Sequence, residues 1–504
     1  MRHADAGLGR GLRPLRRHRL ARVAVAPNDD FAGAFGDAQF VGADGDKWSC
    51  GGGIIGFVMS SVPVTGPSPM TTRAIAADIL QRVLDRAIPL DEVETSHTPF
   101  IKLERRDRAF IHLTVLTVLR RLGQIDDIIQ RCLTAGRAPE ITIRHVLRLA
   151  IAEILFLQVA PHAAVDEAVR LVKTSDVAPL SGFVNAVLRR VVREGAAWLA
   201  TQDADRLNTP DWLWRRWQDS YGATTVRQIA AAHREEPPLD ISVKSDPEQW
   251  AQRLEGKLLP TGSIRLKGRP RIRQLPGYDE GAWWVQDAAA ALPAQMLLKA
   301  LPGGGKNARV IDLCAAPGGK TAQLAAAGAQ VIAVDRSSSR LKVLQQNLDR
   351  LKMTDRVTVH QADARQMTVE MPVDAVLLDA PCTATGTLRR HPEVAFLRQP
   401  EDIRRAAGIQ ADMISAAVKL LRPGGILVYA VCSLESEEGA NHFLSQGLPP
   451  GLKLAPLPGK MPALAEFLPP TEEGLTGSAL RTLPCHWPEQ GGIDGFYAVR
   501  LQRA

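Results

Sequence analysis

The sequence predicts an α/β protein whose C-terminal half folds around a parallel sheet, with an all-α block and a small α+β connector in front of it. Three observations carry that expectation. Beyond Val285, apolar runs rich in Val, Ile and Leu alternate with amphipathic segments of about ten residues or more, the pattern of βαβ units. Between Thr71 and about Gly195, apolar residues recur at steps of three and four, as helices demand. Several of the C-terminal runs lead into Cys or Asp where a strand gives way to a loop: Cys314, Asp335, Asp363, Asp379 with Cys382, and Cys432. In open α/β sheets that edge is where ligands bind.

The first 69 residues are rich in Gly, Ala, Asp and Pro, and their one apolar piece, Ile54 to Met59, is too short for a core. A disordered extension is expected over 1–69. Met70 directly precedes the first convincing helix, so a translated upstream region is the alternative. The helical block is expected over 70–197. In its first helix Ala74, Ile75, Ile79, Leu80 and Val83 form one stripe. FIHLTVLTVLRRLGQIDDIIQRCL, IRHVLRLAIAEILFLQ, AVDEAVRLVKTS and GFVNAVLRRVVREG repeat the pattern, punctuated by Pro161, Pro179 and Gly182. The connector is expected over 198–281. Trp212, Trp214, Trp217 and Tyr221 fall at helical spacing and read as core. Pro237-Pro238 ends that helix, DISVK and SIRLKG read as strands, and Arg265, Lys267, Arg269, Arg271 and Arg273 suit a polyanion-facing surface.

The sheet domain is expected over 282–504. VQDAAAALPAQML reads as a helix and RVIDLC as a strand ending at Cys314; AAPGGK then turns into the helix TAQLAAA. AQVIAVD, RVTVHQAD, VDAVLLDAPC and GGILVYAVCS are further strands, separated by SRLKVLQQNLDRL and AAGIQADMISAAVKLL, and GGIDGFYAVRLQ closes the fold. The turn CAAPGGKT is neither G-x-G-x-x-G nor a P-loop, which excludes those dinucleotide and nucleotide fingerprints. Its Pro-Gly-Gly lets backbone approach a ligand closely, with Lys320 opening a helix. Asp335 is placed to accept from two ribose hydroxyls, Asp363 from an exocyclic adenine amine, and Asp379 stands beside Pro381-Cys382. One such aspartate alone reads as a helix N-cap. Three at successive strand ends point to a nucleoside cofactor such as S-adenosylmethionine.

The 504 residues carry a net charge of +8, which favours a polyanionic partner without separating nucleic acid from acidic surfaces. No CxxC pair or Cys/His cluster occurs, so no metal site is expected. Six sparse cysteines fit a reducing compartment. No apolar run approaches the roughly 20 residues of a membrane span, and the arginine-rich start lacks the apolar stretch of a secretory signal. A cytoplasmic monomer without membrane contact is expected.

CAAPGGKT, LLDAPCTATGTLRRHPEV, VYAVCSLE and DGFYAVRL resemble the Sun/Nop family of RNA cytosine-C5 methyltransferases. ERRDRAFIHLTVLTVLRR, VLRLAIAEILFLQVAPHAAVDEAVRLVK and SGFVNAVLRR resemble the NusB-like RNA-binding fold. The two resemblances span about 71–504. They imply a Rossmann-like S-adenosylmethionine-dependent methyltransferase domain behind a NusB-like domain, with small-subunit ribosomal RNA as partner and substrate. They further imply a cofactor site made of Cys314, Ala315, Ala316, Pro317, Gly318, Gly319, Lys320, Asp335, Arg340, Asp363 and Asp379. In the front block they imply a turn at Pro161-His162 with Ala164 and Val165, a buried contact at Asn185, and phosphate contacts by Arg105, Arg106 and Arg108. Two departures from the family are visible: Thr383-Ala384-Thr385-Gly386 stands where S-G-T-G is commoner, and Val431 where Thr is commoner.

Cytosine C5 is a poor nucleophile until a thiolate adds to C6 and turns the ring into an enamine. The resemblance assigns the attack to Cys432, release of the product to Cys382, the grip on cytosine N3 and N4 to Asp379, and to Lys320 the ordering of the site and the lowering of a thiol pKa. The residues alone leave the attacking thiol open, because a Pro-Cys pair beside an acid is also the nucleophile signature of DNA cytosine-C5 enzymes. Cys314 is expected to pack under the cofactor loop, and Cys50, Cys132 and Cys485 to be structural or incidental. Arg389 and Arg390 are expected to touch substrate, and His391 is unassigned. A non-catalytic ribosome-assembly factor and a DNA cytosine-C5 methyltransferase are the competing readings.

Overall fold

The computed structural model describes residues 69–133, 139–268, 270–445, 447–457, 467, 475 and 477–504. The expected disordered extension up to residue 68, with Cys50, lies outside the described residues, as does Arg269. In α1 (Pro69–Arg86) the stripe residues Ile75, Ile79, Leu80 and Val83 are buried, and Ala74 sits half-buried at its edge. Around α1 pack α2 (Arg105–Arg120), α3 (Leu122–Cys132), α4 (Ile141–Leu155), α5 (Pro161–Lys173) and α6 (Ser181–Thr201). Their shared core includes Ile111, Val115, Ile125, Leu147, Ile151 and Leu188. α4 is buried along most of its length, and its Glu153 is held by Arg73 at 2.9 Å.

Two expectations for this block need correction. Pro161 opens α5 instead of shaping a turn, because its fixed φ and missing N–H suit a first helical turn, and Ala164 and Val165 are buried on that helix. Asn185 is half-buried, one position away from the stripe of Val184, Val187, Leu188 and Val191.

α7 (Asp211–Arg234), broken at Gly222 where φ is +83°, carries the aromatic residues. Trp214 and Trp217 are buried with Leu388, Val394 and Leu434, and Trp212 and Tyr221 pack against the same cluster. The aromatic run is therefore core, and it fastens α7 to the loops that follow the two thiols. Beyond it β1 (Asp240–Val243), β2 (Lys257–Leu258), β3 (Ile264–Arg265) and β4 (Trp283–Val285) form an antiparallel sheet in the order β2-β3-β1-β4. Arg265 is not a surface cation. It is buried and grips Asp240 with two bonds of 2.7 and 2.8 Å, since a guanidinium fork matches a carboxylate. Lys267 and Arg273 remain exposed.

The expected helix VQDAAAALPAQML shrinks to α8 (Leu292–Leu298), because Pro293 sits in its first turn and the Asp287 carboxylate takes the Ala289 amide upstream. Then follow β5 (Arg309–Leu313), α9 (Gly319–Ala326), β6 (Gln330–Asp335), α10 (Ser338–Arg350), β7 (Val357–Gln361) and β8 (Val373–Asp379). α11 (Pro400–Leu420), β9 (Leu421–Val431), β10 (Leu452–Leu454), β11 (Ala479–Thr482) and β12 (Phe496–Arg503) complete the chain. The sheet order is β10-β12-β9-β8-β5-β6-β7, with β11 on β12. From β9 to β7 the neighbours are parallel; β12 runs antiparallel against β9, so the sheet is mixed where a parallel one was expected. The chain winds outward from β5 to β7 and then crosses back to β8 on the other side of β5, which leaves the crevice between β5 and β8 as the topological switch point.

Candidate active site

Parallel pairing brings the strand ends into one row. Leu313 lies beside both Val334 and Leu378, and Asp379 beside Ala430. The loops starting at Cys314, Asp335, Cys382 and Cys432 therefore leave the same edge of four adjacent strands.

The loop after β5 is fixed from several sides. Ala315 N–H donates to the Val334 carbonyl at 3.0 Å, Asn347 Nδ2 to the Pro317 carbonyl at 3.1 Å, and Arg340 to the Ala316 carbonyl. Gly318 has φ +109°, a conformation that side chains resist, and a Cβ there would meet Leu344 at 3.2 Å. Cys314 packs into the apolar layer under the loop, and burial pushes its thiol well above the usual range. Asp335 is buried; its Oδ1 accepts from Ser337 N–H at 2.9 Å, while Oδ2 faces Arg340 Nη1 at 3.2 Å without receiving a hydrogen bond. A free acceptor beside a glycine turn fits a hydroxyl-bearing nucleoside. Asp363 is already held by Arg365, whose guanidinium spans its two oxygens at 3.1 and 2.7 Å and keeps the carboxyl below its ordinary range. Carboxylate oxygens have lone pairs to spare for an amine.

Lys320, in the first turn of α9, donates to Asp379 Oδ2 at 2.7 Å and lies 5.0 Å over the Phe496 ring. Its charge is thus directed to the carboxylate. The Cys382 and Cys432 sulfurs are 3.4 Å apart and both are half-buried. The hydrogen bond with Cys432, together with burial, pushes the Cys382 thiol well above its ordinary pKa. Gly386 locks the first loop onto the second: its N–H donates to the Cys432 carbonyl at 3.0 Å, and its carbonyl accepts from Gly495 N–H at 2.8 Å. A Cβ on Gly386 would stand 2.0 Å from the Gly495 oxygen, so only glycine fits.

Arg389 and Arg390 do not point outward as expected. Arg389 is buried, and Arg390 bridges Asp287 at 2.6 Å and Asp494 at 2.9 Å. These pairs tie the loop after β8 to the segment before α8 and to the start of β12. Burial opposes a charge on His391, but Glu393 and Asp91 outweigh it and raise its pKa to about 9. Phe396 and Leu397, on the same loop, pack into the helical block, and Arg120 of α2 donates to the Arg389 carbonyl at 2.9 Å.

Sequence reasoning passed over the polar layer beneath the thiols: Gln410, Ser433, Glu435 and Glu438, all buried. The available signal was faint, since ESEE reads as a solvated acidic turn. Asp312 was also missed. It is buried in β5, accepts from Thr321 Oγ1 at 2.6 Å, and is pushed up to about 7 by burial. No group of three or more His, Cys, Asp or Glu able to hold a metal occurs among the described residues, and no helix among them is long and apolar enough to cross a membrane.

Comparison with known proteins agrees with this geometry. Residues 303–502 match the family model for 16S rRNA methyltransferase RsmB/F, and residues 70–193 match the NusB family. Ribosomal RNA small subunit methyltransferase B of Citrobacter koseri is 33% identical over 392 residues, covering 74% of this chain and 89% of that protein. The protein of the same name from Salmonella arizonae is 34% identical over 396 residues, covering 74% and 90%. The crystal structure of PH0851 superposes with a TM-score of 0.65 at 24% identity, over 87% of this chain and 99% of that one, and shares the fold. The chain belongs to the RsmB/F family of S-adenosylmethionine-dependent 16S rRNA methyltransferases.

Proposed function

We propose that this chain methylates C5 of a cytosine in small-subunit ribosomal RNA through a transient bond between Cys432 Sγ and C6 of the ring. The observation that carries the reading is the pair of thiols 3.4 Å apart, on loops leaving adjacent strands, one strand away from the glycine turn. S-adenosylmethionine, held by the Cys314–Lys320 turn, Asp335, Arg340, Asp363 and Asp379, supplies an electrophilic methyl group. Asp335 Oδ2 is the acceptor for a ribose hydroxyl, and the small Gly318–Gly319 turn admits the rest of the molecule.

The cytosine must leave its stack to reach the strand ends. Asp379, held by Lys320, accepts from the exocyclic N4 amine and orients the ring, and the Lys320 ammonium beside it offsets the negative charge that spreads toward N3. Cys432 thiolate adds to C6, and the electron pair moves to C5, making it the nucleophile toward the sulfonium methyl that the bound cofactor would supply, with the thioether as leaving group. Solvent water takes the C5 proton, the C5–H electron pair re-forms the C5=C6 bond, and the sulfur leaves C6 as the thiolate. The Cys382 thiol, within reach of Cys432, assists that elimination by hydrogen-bonding the departing sulfur. Arg106 and the exposed Lys267 and Arg273 offer phosphate contacts to the surrounding RNA.

The test is methylation of naked small-subunit RNA with labelled cofactor, followed by mapping of 5-methylcytosine. Cys432→Ala is expected to abolish transfer, and full activity in that variant overturns the assignment. Cys382→Ala is expected to leave a stable covalent protein–RNA adduct.

A further inference from the structure

Beneath the thiols lies a buried carboxyl group that no step above uses. Glu438 Oε1 accepts from the Thr383 amide at 2.9 Å and from Gln410 Nε2 at 3.1 Å. Oε2 accepts from the Ser433 hydroxyl at 2.5 Å and from the Thr383 hydroxyl. Gln410, on α11, also donates to the Pro381 carbonyl at 3.0 Å. Pro381 and Thr383 flank Cys382, and Ser433 follows Cys432. Each of these bonds therefore ends on a residue next to a thiol, or on the glutamine that holds one. All four donors are neutral groups, and their bonds favour a charge on the carboxyl group at a depth where an unbonded anion would be costly.

We infer that Glu438 is a positioning residue for the thiol pair: it clamps the Cys382 and Cys432 loops to each other and sets Cys382 as the hydrogen-bonding neighbour of Cys432. The inference rests on the reading above for what the thiols do, but not for where they are held. It divides the labour between two otherwise similar sulfurs: three of the contacts around the carboxyl group, the Thr383 amide and hydroxyl and the Gln410 link to Pro381, fall on the Cys382 side, and one, Ser433, on the Cys432 side. Burial raises the pKa of Glu438, and its bonds from Ser433, Thr383 and Gln410 work against that rise. The charge of Glu438 adds to the upward shift of Cys382.

Other ionisable groups surround the pair. Tyr429 donates to the Glu438 carbonyl at 2.6 Å, Arg398 to the Thr383 carbonyl at 3.2 Å, and Arg481 to the Ser433 carbonyl at 2.5 Å. Glu435 accepts from Thr385 at 3.3 Å, His442 meets Gln410 at 3.0 Å, and the Lys320–Asp379 pair lies at the end of β8. Of these, Arg398 and Arg481 spend donors on backbone carbonyls beside the thiols; Glu435 joins the two loops farther out through Thr385, and Glu438 bonds the residues directly beside Cys382 and Cys432.

The test uses the full chain without RNA or cofactor. Iodoacetamide labelling of each cysteine is followed by peptide mass spectrometry across roughly pH 6 to pH 10, on both sides of an ordinary thiol pKa. In the wild type, Cys382 is expected to react more slowly than Cys432; equal or faster reaction of Cys382 overturns the inference, and this arm needs no variant to fold. Glu438→Gln keeps the shape and removes the charge, and the Ser433 and Thr383 hydroxyls can turn to accept from the new amide. It is expected to speed Cys382 labelling about tenfold near pH 8, the effect of one pKa unit, with a smaller change at Cys432. An unchanged ratio of the two rates overturns the inference, because a merely loosened fold would speed both thiols alike. Absence of cytosine methylation in the wild type would sink the proposed reaction and leave these labelling results standing.

Discussion

Replacing Arg390 with alanine tests whether the double arginine after β8 is structure or substrate grip. Its guanidinium meets Asp287 at 2.6 Å, Asp494 at 2.9 Å and the Pro238 carbonyl at 3.3 Å. Asp240, Asp287 and Asp494 there face Arg265, Arg389 and Arg390, three charges of each sign, so the deletion leaves one buried negative charge uncompensated. Removing one partner of a buried pair costs about 3–5 kcal/mol. The lower end applies, since the Arg390 side chain keeps 23% of its exposure. At about 2–4 °C per kcal/mol for a domain of this size, the melting midpoint should fall by roughly 10 °C. Thermal melts followed by the fluorescence of Trp283 and Trp284, which lie on the sheet that Asp240 anchors, report this. Arg227→Ala, which removes the exposed pair with Asp203 at 3.0 Å, is the control and should melt close to wild type. If Arg390→Ala melts with that control but binds RNA more weakly, the outward-facing reading was right and the structural one is refuted.

Two further outcomes follow from single residues. Ala384 holds φ at +60°, which costs a side chain about 1–2 kcal/mol; Ala384→Gly relieves this and loses a buried methyl group worth about 0.8 kcal/mol. A net gain of about 0.5 kcal/mol is expected in urea denaturation, and a loss above 1 kcal/mol would contradict the strain argument. Asp312 is raised by burial from 3.8 to about 7, so the folded state keeps a proton that the unfolded chain releases. Its contribution is full below pH 3.8 and fades as pH rises to about 7. Asp312→Asn cannot ionise, so its stability relative to wild type should climb over that window by a few kcal/mol at most and then level off; parallel pH profiles for the two proteins would refute it.

The apolar periodicities were legible because each helix and strand needs its own buried stripe: Ile79, Leu80 and Val83 sit where their spacing put them. The row of strand-end residues was legible for a similar reason, since parallel strands must end on one edge. Buried charge was not. Arg265, Arg389 and Arg390 read as surface cations because arginine is mostly exposed, and the carboxylates that neutralise Arg390 lie 103 and 104 positions away in sequence. The antiparallel run of β12 escaped notice because strand direction depends on the route of the preceding loop, not on the residues of the strand. Glu438 hid in an acidic run, and only the fold shows that it turns inward while Glu437 faces Arg216 at the surface.

Phe396 and Leu397, seated among the helices of the front block, make that block a ruler instead of a leash. Any nucleic acid gripped rigidly by the first helices is presented to the sulfur atoms from a set distance, because the peptide that bears those two side chains is continuous with the one that bears Cys382. Cutting the chain before α7 would strip two apolar residues of their cover and leave the loop to α7, the Arg390 pairs and the Gly386 bonds alone. The two halves are best regarded as one tool with a fixed jaw.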